Sequence, residues 1–186
     1  MSKTESAMLA LGTPAPGFAL PDVVSGQTIS LATFADKDVL LVMFICPHCP
    51  YVIHVQEGIA QLGRDYFARP VGIVAISSND AEAYPSDSPE GMRRQASTLG
   101  FQFPYCYDES QDVARAYNAL ATPEFYLFDR ERRLVYRGRL DDSRRHTTIP
   151  VTGKEVRAAL ENTLAGRAIE ADQRPSIGCS IKWRSF

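Results

Sequence analysis

Cys46 and Cys49, two cysteines separated by two residues, are the part of this chain that most directly suggests chemistry. In a reducing compartment, a pair at this spacing is typical of a redox couple or a metal site. The pattern places Cys46 between a buried strand and a helix start, where free backbone N–H groups and the helix dipole stabilise a thiolate. We therefore expect Cys46 to be the nucleophile and Cys49, one turn further on, to be the resolving thiol.

Pro47 and His48, the residues between the cysteines, are expected to tune the pair. A proline at the first helical position fixes the backbone of the first turn. A protonated histidine adds positive charge beside the Cys46 thiolate and lowers the pKa of that thiol. The motif thus predicts that the pKa of Cys46 lies below the free-thiol value of about 8.5.

Thr122-Pro123 and Glu124 form a second candidate part of the site. A proline that opens a strand after a short helix is a place where a cis peptide bond can present backbone groups to a bound substrate. Glu124 follows directly, and a buried carboxyl there is a candidate acceptor for the Cys49 proton. A solvated acid at the end of a strand is the equally supported alternative.

A βαβ unit is predicted around the cysteine pair. Residues 39–45 are a continuous apolar run, as expected of a strand that is covered on both faces. Apolar residues then recur at helical spacing from Val52 to Leu62, and Gly63 is placed to end that helix. A second buried strand is predicted at 71–76, and the interval is long enough for a right-handed crossover.

The remaining elements continue this alternation. After a polar loop at 77–87, the chain predicts a helix from Ser88 to Gly100, a strand at 101–107 and a short helix near 113–120. A hairpin of 124–128 and 134–137 follows. Thr152 and Glu155 have the spacing of a capping box for a last helix that Gly166 ends, and a short strand at 27–31 precedes all of these. The predicted fold is α/β, a central mixed sheet flanked by helices.

Length and composition indicate one soluble domain with additions. The 186 residues, of which 45% are apolar, can bury a sizeable core. We expect a flexible N-terminus at 1–10, a domain at 11–170 and a tail at 171–186 that packs on or near it. Twenty basic and 22 acidic residues give no field that attracts nucleic acid or a membrane. The chain shows no signal-peptide core or transmembrane run, which predicts a cytoplasmic location.

The order of these features resembles the thioredoxin superfamily: a buried strand, then Cys46-Pro47-His48-Cys49, then a distant Thr122-Pro123. Residues 12–22 (GTPAPGFALPD) are similar to the start of the redoxin branch, which includes alkyl hydroperoxide reductases and thiol-specific antioxidant proteins. Four stretches resemble a bacterial thioredoxin-like family of that branch: 46–51 (CPHCPY), 75–88 (AISSNDAEAYPSDS), 136–143 (YRGRLDDS) and 175–183 (PSIGCSIKW). The resemblance implies a thioredoxin-like fold and a redox pair at Cys46 and Cys49.

We therefore expect a thiol–disulfide oxidoreductase that acts on protein or small-molecule disulfides without a cofactor or metal. The reductant is expected to be of the thioredoxin or glutathione type. The Pro-His dipeptide is similar to that of a periplasmic disulfide-forming oxidase, but a reducing compartment favours net reduction. The buried Asp that typical thioredoxins carry six residues before the first cysteine is replaced by Leu40.

Two other functions stay open. A thiol peroxidase would use Cys46, although Met43 stands where peroxidases of the redoxin branch have a threonine. A metallochaperone or binding module would add a distant His54 or His146 to the two thiols. Of the remaining cysteines, Cys106 is expected to be a buried inert thiol. Cys179 is expected to be structural or exposed, or else a third redox thiol if the tail folds over the site.

Overall fold

A computed structural model describes residues 3–185. The strands are β1 (Lys3–Glu5), β2 (Ala19–Pro21), β3 (Thr28–Ser30), β4 (Val39–Phe44), β5 (Val71–Ser77), β6 (Tyr105–Tyr107), β7 (Ala121–Thr122), β8 (Glu124–Phe128), β9 (Leu134–Gly138) and β10 (Ile177–Ser180). The α-helices are α1 (Pro50–Tyr66), α2 (Pro89–Leu99), α3 (Asp112–Ala116) and α4 (Lys154–Leu164). Short 3₁₀ helices lie at Leu31–Phe34 and Pro85–Asp87. No helix in this described part of the chain is long and apolar enough to cross a membrane.

The central sheet has five strands in the order β6-β5-β4-β8-β9. Strands β4, β5 and β6 are parallel, whereas β8 pairs antiparallel with both β4 and β9. This confirms the predicted mixed sheet flanked by helices. The hairpin predicted from alternating residues is β8 and β9.

Strand β4 divides the core into two faces because successive side chains of a strand point to opposite sides. Leu41 and Met43 face the side covered by α1, α2 and α4, which we term the α1 face. Val42 and Phe44 face the side covered by α3 and the N-terminal β2–β3 hairpin, which we term the α3 face. All six residues of β4 are buried, as the apolar run predicts.

Helix α1 runs past Gly63 to Tyr66, so the prediction that Gly63 ends it is wrong. The glycine has a packing role instead. A Cβ atom at Gly63 would lie 2.7 Å from Cδ1 of Phe103. The absence of a side chain lets α1 approach the segment that leads into β6.

Of the two caps that the sequence predicts, the cap of α2 is confirmed and the cap of α4 is wrong. Ser88 caps α2 by accepting a hydrogen bond from the Gly91 N–H, as predicted. The capping box of Thr152 and Glu155 is wrong, because α4 begins at Lys154 behind a left-handed Gly153. Glu155 pairs with Arg139 instead of reaching back to the backbone.

Both chain ends join a small second sheet. Its order is β1-β10-β7, with Lys3 opposite Cys179 and Cys179 opposite Thr122. Residues Lys3–Glu5 are thus in a strand, contrary to the flexible N-terminus predicted for 1–10, because β10 supplies the hydrogen-bonding edge that they complete. Met1 and Ser2 of that segment, and Phe186 of the predicted tail, lie outside the described residues.

We predict that Gly63→Ala lowers the free energy of unfolding by about 1–3 kcal/mol through overpacking, although alanine favours a helix over glycine by about 1 kcal/mol. Urea unfolding of the two proteins measures the difference. Phe103→Leu is the matched background, because it shortens the side chain that the new Cβ meets. If Gly63→Ala lowers the free energy of unfolding equally in the parent and in Phe103→Leu protein, that result would contradict the proposed contact.

Candidate functional site

The cysteine pair lies between β4 and α1. The N–H of Ile45 still donates to the carbonyl of Ile76 on the β5 strand (3.0 Å), and Cys46 follows at once. The helix begins only at Pro50, so Cys49 is its N-cap residue. Pro47 therefore lies in the connecting segment, and the prediction that it opens the first turn is wrong. Both cysteines are 0% exposed.

Thr122 joins both thiols from a distant part of the chain. Its hydroxyl oxygen lies 3.4 Å from the Cys46 sulfur. Its carbonyl oxygen lies 3.3 Å from the Cys49 sulfur and accepts a hydrogen bond when that thiol is protonated. The Thr122–Pro123 peptide bond is cis. The prediction that this dipeptide belongs with the cysteines therefore agrees with the geometry, although the strand that pairs with Thr122 is the chain's own β10.

The electrostatics of the pair favour a thiolate on Cys49 rather than on Cys46. A hydrogen bond from Cys46 lowers the pKa of Cys49 to about 5, and the backbone N–H of Val52 in the first turn of α1 contributes in the same direction. The hydrogen bond to Cys49, followed by burial and the charge of Asp87, raises the pKa of Cys46. The low pKa predicted at Cys46 is therefore wrong in direction, because the hydrogen bond with Cys49, burial and the charge of Asp87 all raise it.

His48 is held by a buried carboxylate that sequence reasoning missed. The His48 backbone N–H donates to Oδ1 of Asp87 (3.0 Å), and the ring Nδ1 is hydrogen-bonded to Oδ2. The side chain of Asn79 donates to the same Oδ2 atom (2.8 Å). Asp87 is 0% exposed, and the ring of Tyr84 stacks on His48 with the centroids 5.3 Å apart.

This arrangement changes the expected effect of His48. A proton on the His48 ring is matched by the negative charge of Asp87, so the ring does not present unbalanced positive charge to Cys46. Asp87 instead contributes to the raised pKa of that thiol. Asp87 and Asn79 lie in the polar loop 77–87, whose composition does not indicate burial. The resemblance of residues 75–88 to the bacterial thioredoxin-like family is the signal that points to them.

Glu124 lies on the other side of the sheet from the cysteines. It is opposite Phe44 in the β4–β8 pairing and is buried, but on the α3 face. Its carboxylate accepts hydrogen bonds from the backbone N–H groups of Leu120 and Ala121 and from the hydroxyl of Tyr126. Burial raises the pKa of Glu124, which these donors oppose. Its position indicates that Glu124 accepts hydrogen bonds from the backbone that precedes Thr122. It does not indicate a base that takes the proton of Cys49.

Cys179 is the third sulfur at the site. It lies on β10, is 2% exposed, and its thiol is hydrogen-bonded to that of Cys49. Burial and the contact with Cys49 raise the pKa of Cys179 to about 12. Cys106 lies apart on the α3 face, and burial raises its pKa to about 12.

One group of potential metal ligands occurs among residues 3–185. It consists of Cys46, His48 and Asp87, whose ligand atoms all lie within 4.8 Å of one another. The histidines that the sequence suggested for a metallochaperone are placed differently. His54 has its Nε2 atom 3.2 Å from the Ser143 hydroxyl, and His146 is exposed in a loop with a positive φ angle of 65°.

Comparison with known families identifies the chain. The family model described as Redoxin matches residues 10–156. The chain belongs to the Redoxin family. A comparison with curated proteins finds no match for this redoxin.

Two solved structures are similar to this redoxin over nearly their whole length. An uncharacterized conserved protein from Geobacillus kaustophilus has 52% identity and a TM-score of 0.97, covering 100% of this chain and 98% of that one. A hypothetical protein from Sinorhizobium meliloti has 45% identity and a TM-score of 0.96, covering 98% and 100%. A thiol:disulfide interchange protein of the thioredoxin family from Chlorobium tepidum has 19% identity and a TM-score of 0.64 over 83% of this chain and 98% of that one, which shows a shared fold.

We predict that the reduced protein shows a thiolate transition near pH 5 that depends on Cys49, because the hydrogen bond from Cys46 and, to a smaller extent, the first turn of α1 stabilise that thiolate. Thiolate absorbance in the ultraviolet measures it. Cys49→Ser should remove the transition, and Cys106→Ser, which removes a remote buried thiol, should leave it intact. Persistence of the transition in Cys49→Ser would place the thiolate elsewhere.

We also predict that Asp87→Asn lowers the pKa of Cys46, because the charge of Asp87 is one cause of its raised value. The substitution should also destabilise the fold by about 1–3 kcal/mol, since it removes a charged acceptor from His48. Thiolate absorbance in a Cys49→Ser background isolates the Cys46 titration. Glu124→Gln, a buried carboxylate on the other face, is the control and should leave that midpoint unchanged; an equal shift in both variants would rule out a local effect of Asp87.

Proposed function

We propose that this redoxin is a thiol–disulfide oxidoreductase in which Cys46 and Cys49 alternate between a dithiol and a disulfide. The observation that carries the proposal is the placement of both buried thiols against Thr122, with Cys49 at the N-terminus of α1. Membership of the Redoxin family and the fold shared with thiol:disulfide interchange proteins support a redox role at a coarser level.

In the proposed reaction, the Cys49 thiolate attacks one sulfur of a substrate disulfide, and the other substrate sulfur leaves as a thiolate. Cys46 then loses its proton to that leaving group and attacks the Cys49 sulfur of the mixed disulfide. The Cys46–Cys49 disulfide forms, the mixed disulfide breaks, and the second substrate sulfur departs as a thiolate. This order reverses the expectation drawn from the motif, because the hydrogen bond from Cys46 and, after it, the N–H of Val52 stabilise negative charge at Cys49.

The reverse reaction returns the pair to the dithiol at the expense of a thioredoxin- or glutathione-type donor, consistent with a reducing, cytoplasmic setting. Neither thiol is exposed. Thiol–disulfide exchange with a protein substrate therefore requires a local opening of the structure around Cys46 and Cys49. Pro47 and His48 are half-buried and form the accessible part of the motif.

Peroxide turnover by Cys46 has weaker support. A peroxidatic cysteine reacts as a thiolate. Here a hydrogen bond to Cys49, burial and the charge of Asp87 all raise the pKa of Cys46.

A metal-binding role is the second candidate, favoured by the cluster of Cys46, His48 and Asp87. A thiolate, an imidazole and a carboxylate suit Zn²⁺. Anaerobic titration of the reduced protein with Zn²⁺ tests this role. Stoichiometric binding that Asp87→Asn and Cys46→Ser both abolish, and that Cys106→Ser retains, would favour metal binding over exchange.

The exchange order predicts which single thiol retains a mixed disulfide. Because Cys179 contacts Cys49, it is replaced by serine in both test proteins. Cys46→Ser/Cys179→Ser should accumulate a glutathione adduct on Cys49 when treated with glutathione disulfide, since no second thiol remains there to resolve it. Cys49→Ser/Cys179→Ser should react more slowly, because the pKa of Cys46 is raised. Intact-protein mass spectrometry measures both adducts.

The Cys179→Ser protein is the matched control and should end as a Cys46–Cys49 disulfide without an adduct. Faster adduct formation on Cys46 than on Cys49 would restore the order expected from the motif. A Cys179→Ser protein that forms no Cys46–Cys49 disulfide would falsify the proposed function itself.

A further inference from the structure

The C-terminal strand brings Cys179 to the cysteine pair. Strand β10 pairs with β7, so that Cys179 lies opposite Thr122, the residue whose hydroxyl and carbonyl oxygens contact Cys46 and Cys49. The Cys179 thiol is hydrogen-bonded to the Cys49 thiol. Three sulfurs from two distant segments thus meet in one buried place.

The first turn of α1 affects the pKa values of two of these three thiols, Cys49 and Cys179. The first N–H groups of a helix have no partner within the helix. The Val52 N–H is one of the groups that lower the pKa of Cys49, and the Tyr51 N–H opposes the rise in the pKa of Cys179. Negative charge on either sulfur is therefore stabilised by the same helix end.

The position of Cys179 is held tightly on both sides along the chain. Before it, a Cβ atom at Gly178 would lie 1.9 Å from the carbonyl oxygen of Thr122, so only glycine allows this close approach of β10 to β7. After it, Lys182 donates its N–H to the side chain of Asn79, and its carbonyl accepts hydrogen bonds from Asp80 and Gln111. Close backbone packing before Cys179 and hydrogen bonds after it therefore fix the position of this residue.

We propose that Cys179 is a third redox-active thiol, which forms a disulfide with Cys49 and thereby releases Cys46. The inference rests on the proposed thiol–disulfide function and extends it. Cys179 lies outside residues 10–156, which match the Redoxin family model. The assignment therefore comes from the contacts of this chain.

The exchange is balanced within the protein. Starting from the Cys46–Cys49 disulfide, the Cys179 thiolate attacks the Cys49 sulfur. The Cys49–Cys179 bond forms, the Cys46–Cys49 bond breaks, and Cys46 leaves as a thiolate that takes up the proton lost by Cys179. No oxidant or reductant is consumed, because one disulfide replaces another. Oxidised protein then exists as two isomers, one of which links α1 covalently to β10.

The same contact lets Cys179 replace Cys46 as the resolving thiol. A mixed disulfide on Cys49 presents its sulfur to both neighbours. Attack by Cys179 expels the substrate thiolate and gives the Cys49–Cys179 disulfide directly, so that Cys46→Ser protein still completes one round of exchange.

Peptide mapping without reduction tests the inference. Reduced protein is equilibrated with a glutathione/glutathione disulfide buffer, remaining thiols are alkylated, and the protein is digested with trypsin. Cys46 and Cys49 share the peptide 38–64, and Cys179 lies in the peptide 168–182. A Cys49–Cys179 bond therefore joins two peptides, whereas a Cys46–Cys49 bond stays within one.

We expect Cys46→Ser to yield the joined peptides with loss of alkylated Cys179, and Cys179→Ser to yield only the internal disulfide. Cys106→Ser, which removes the remote buried thiol, should match the parent. Circular dichroism establishes that each variant is folded, and Cys46→Ala provides a second version of the key variant.

Two results would overturn the inference. One is Cys46→Ser protein in which Cys49 and Cys179 are both alkylated, and the other is a glutathione adduct on Cys49 that persists beside an alkylated Cys179. If Cys179→Ser still forms the Cys46–Cys49 disulfide, the proposed function stands without the third thiol. Absence of that disulfide counts against the proposed function, whatever Cys179 does.

Discussion

The first turn of α1 is the constraint on which the site depends. Burying a charged sulfur is costly unless hydrogen bonds compensate for the lost water. Here the helix begins at Pro50, and the Val52 and Tyr51 N–H groups of its first turn favour negative charge on Cys49 and Cys179, respectively. A helix that began at Pro47, as the motif suggests, would place Cys46 rather than Cys49 at its N-terminus. The start of α1 therefore adds to the hydrogen bond from Cys46 in favouring negative charge on Cys49.

Two further constraints follow from this one. Thr122 contacts both thiols, Cys46 through its hydroxyl and Cys49 through its carbonyl oxygen. Thr122 in turn is held by β10 on one edge and, through the Leu120–Ala121 backbone, by the carboxylate of Glu124. Glu124 thus supports the site from the opposite face of the sheet, without contact to the sulfurs.

The charge balance around His48 differs from that of an isolated Cys-Pro-His-Cys motif. A histidine between two cysteines favours a thiolate when its positive charge is unopposed. The buried carboxylate of Asp87 is hydrogen-bonded to the ring of the half-buried His48 and opposes that charge. The electrostatic environment of the pair therefore depends on a loop 39 residues away in sequence as well as on the two residues between the cysteines.

Several features were determined by the sequence alone. The apolar run at 39–45, the helical spacing from Val52 and the alternation in the last hairpin each specify an element by local periodicity, and together they define the mixed α/β fold. Cys46, Cys49 and Thr122-Pro123 were also identified, because residue type and spacing carry that information. Local pattern did not locate the start of α1, where Pro47 and Pro50 both suit a first helical position and packing decides between them.

The other features of the site were decided by the tertiary structure, because they depend on contacts between residues that are distant in the chain. The burial of Asp87 under His48, the face on which Glu124 lies and the packing of Gly63 against Phe103 arise from contacts between elements. The same holds for Cys179, whose residue type says only that a thiol is present. The pairing of β10 with β7 brings that thiol to Cys49, and no local periodicity encodes a contact across that separation.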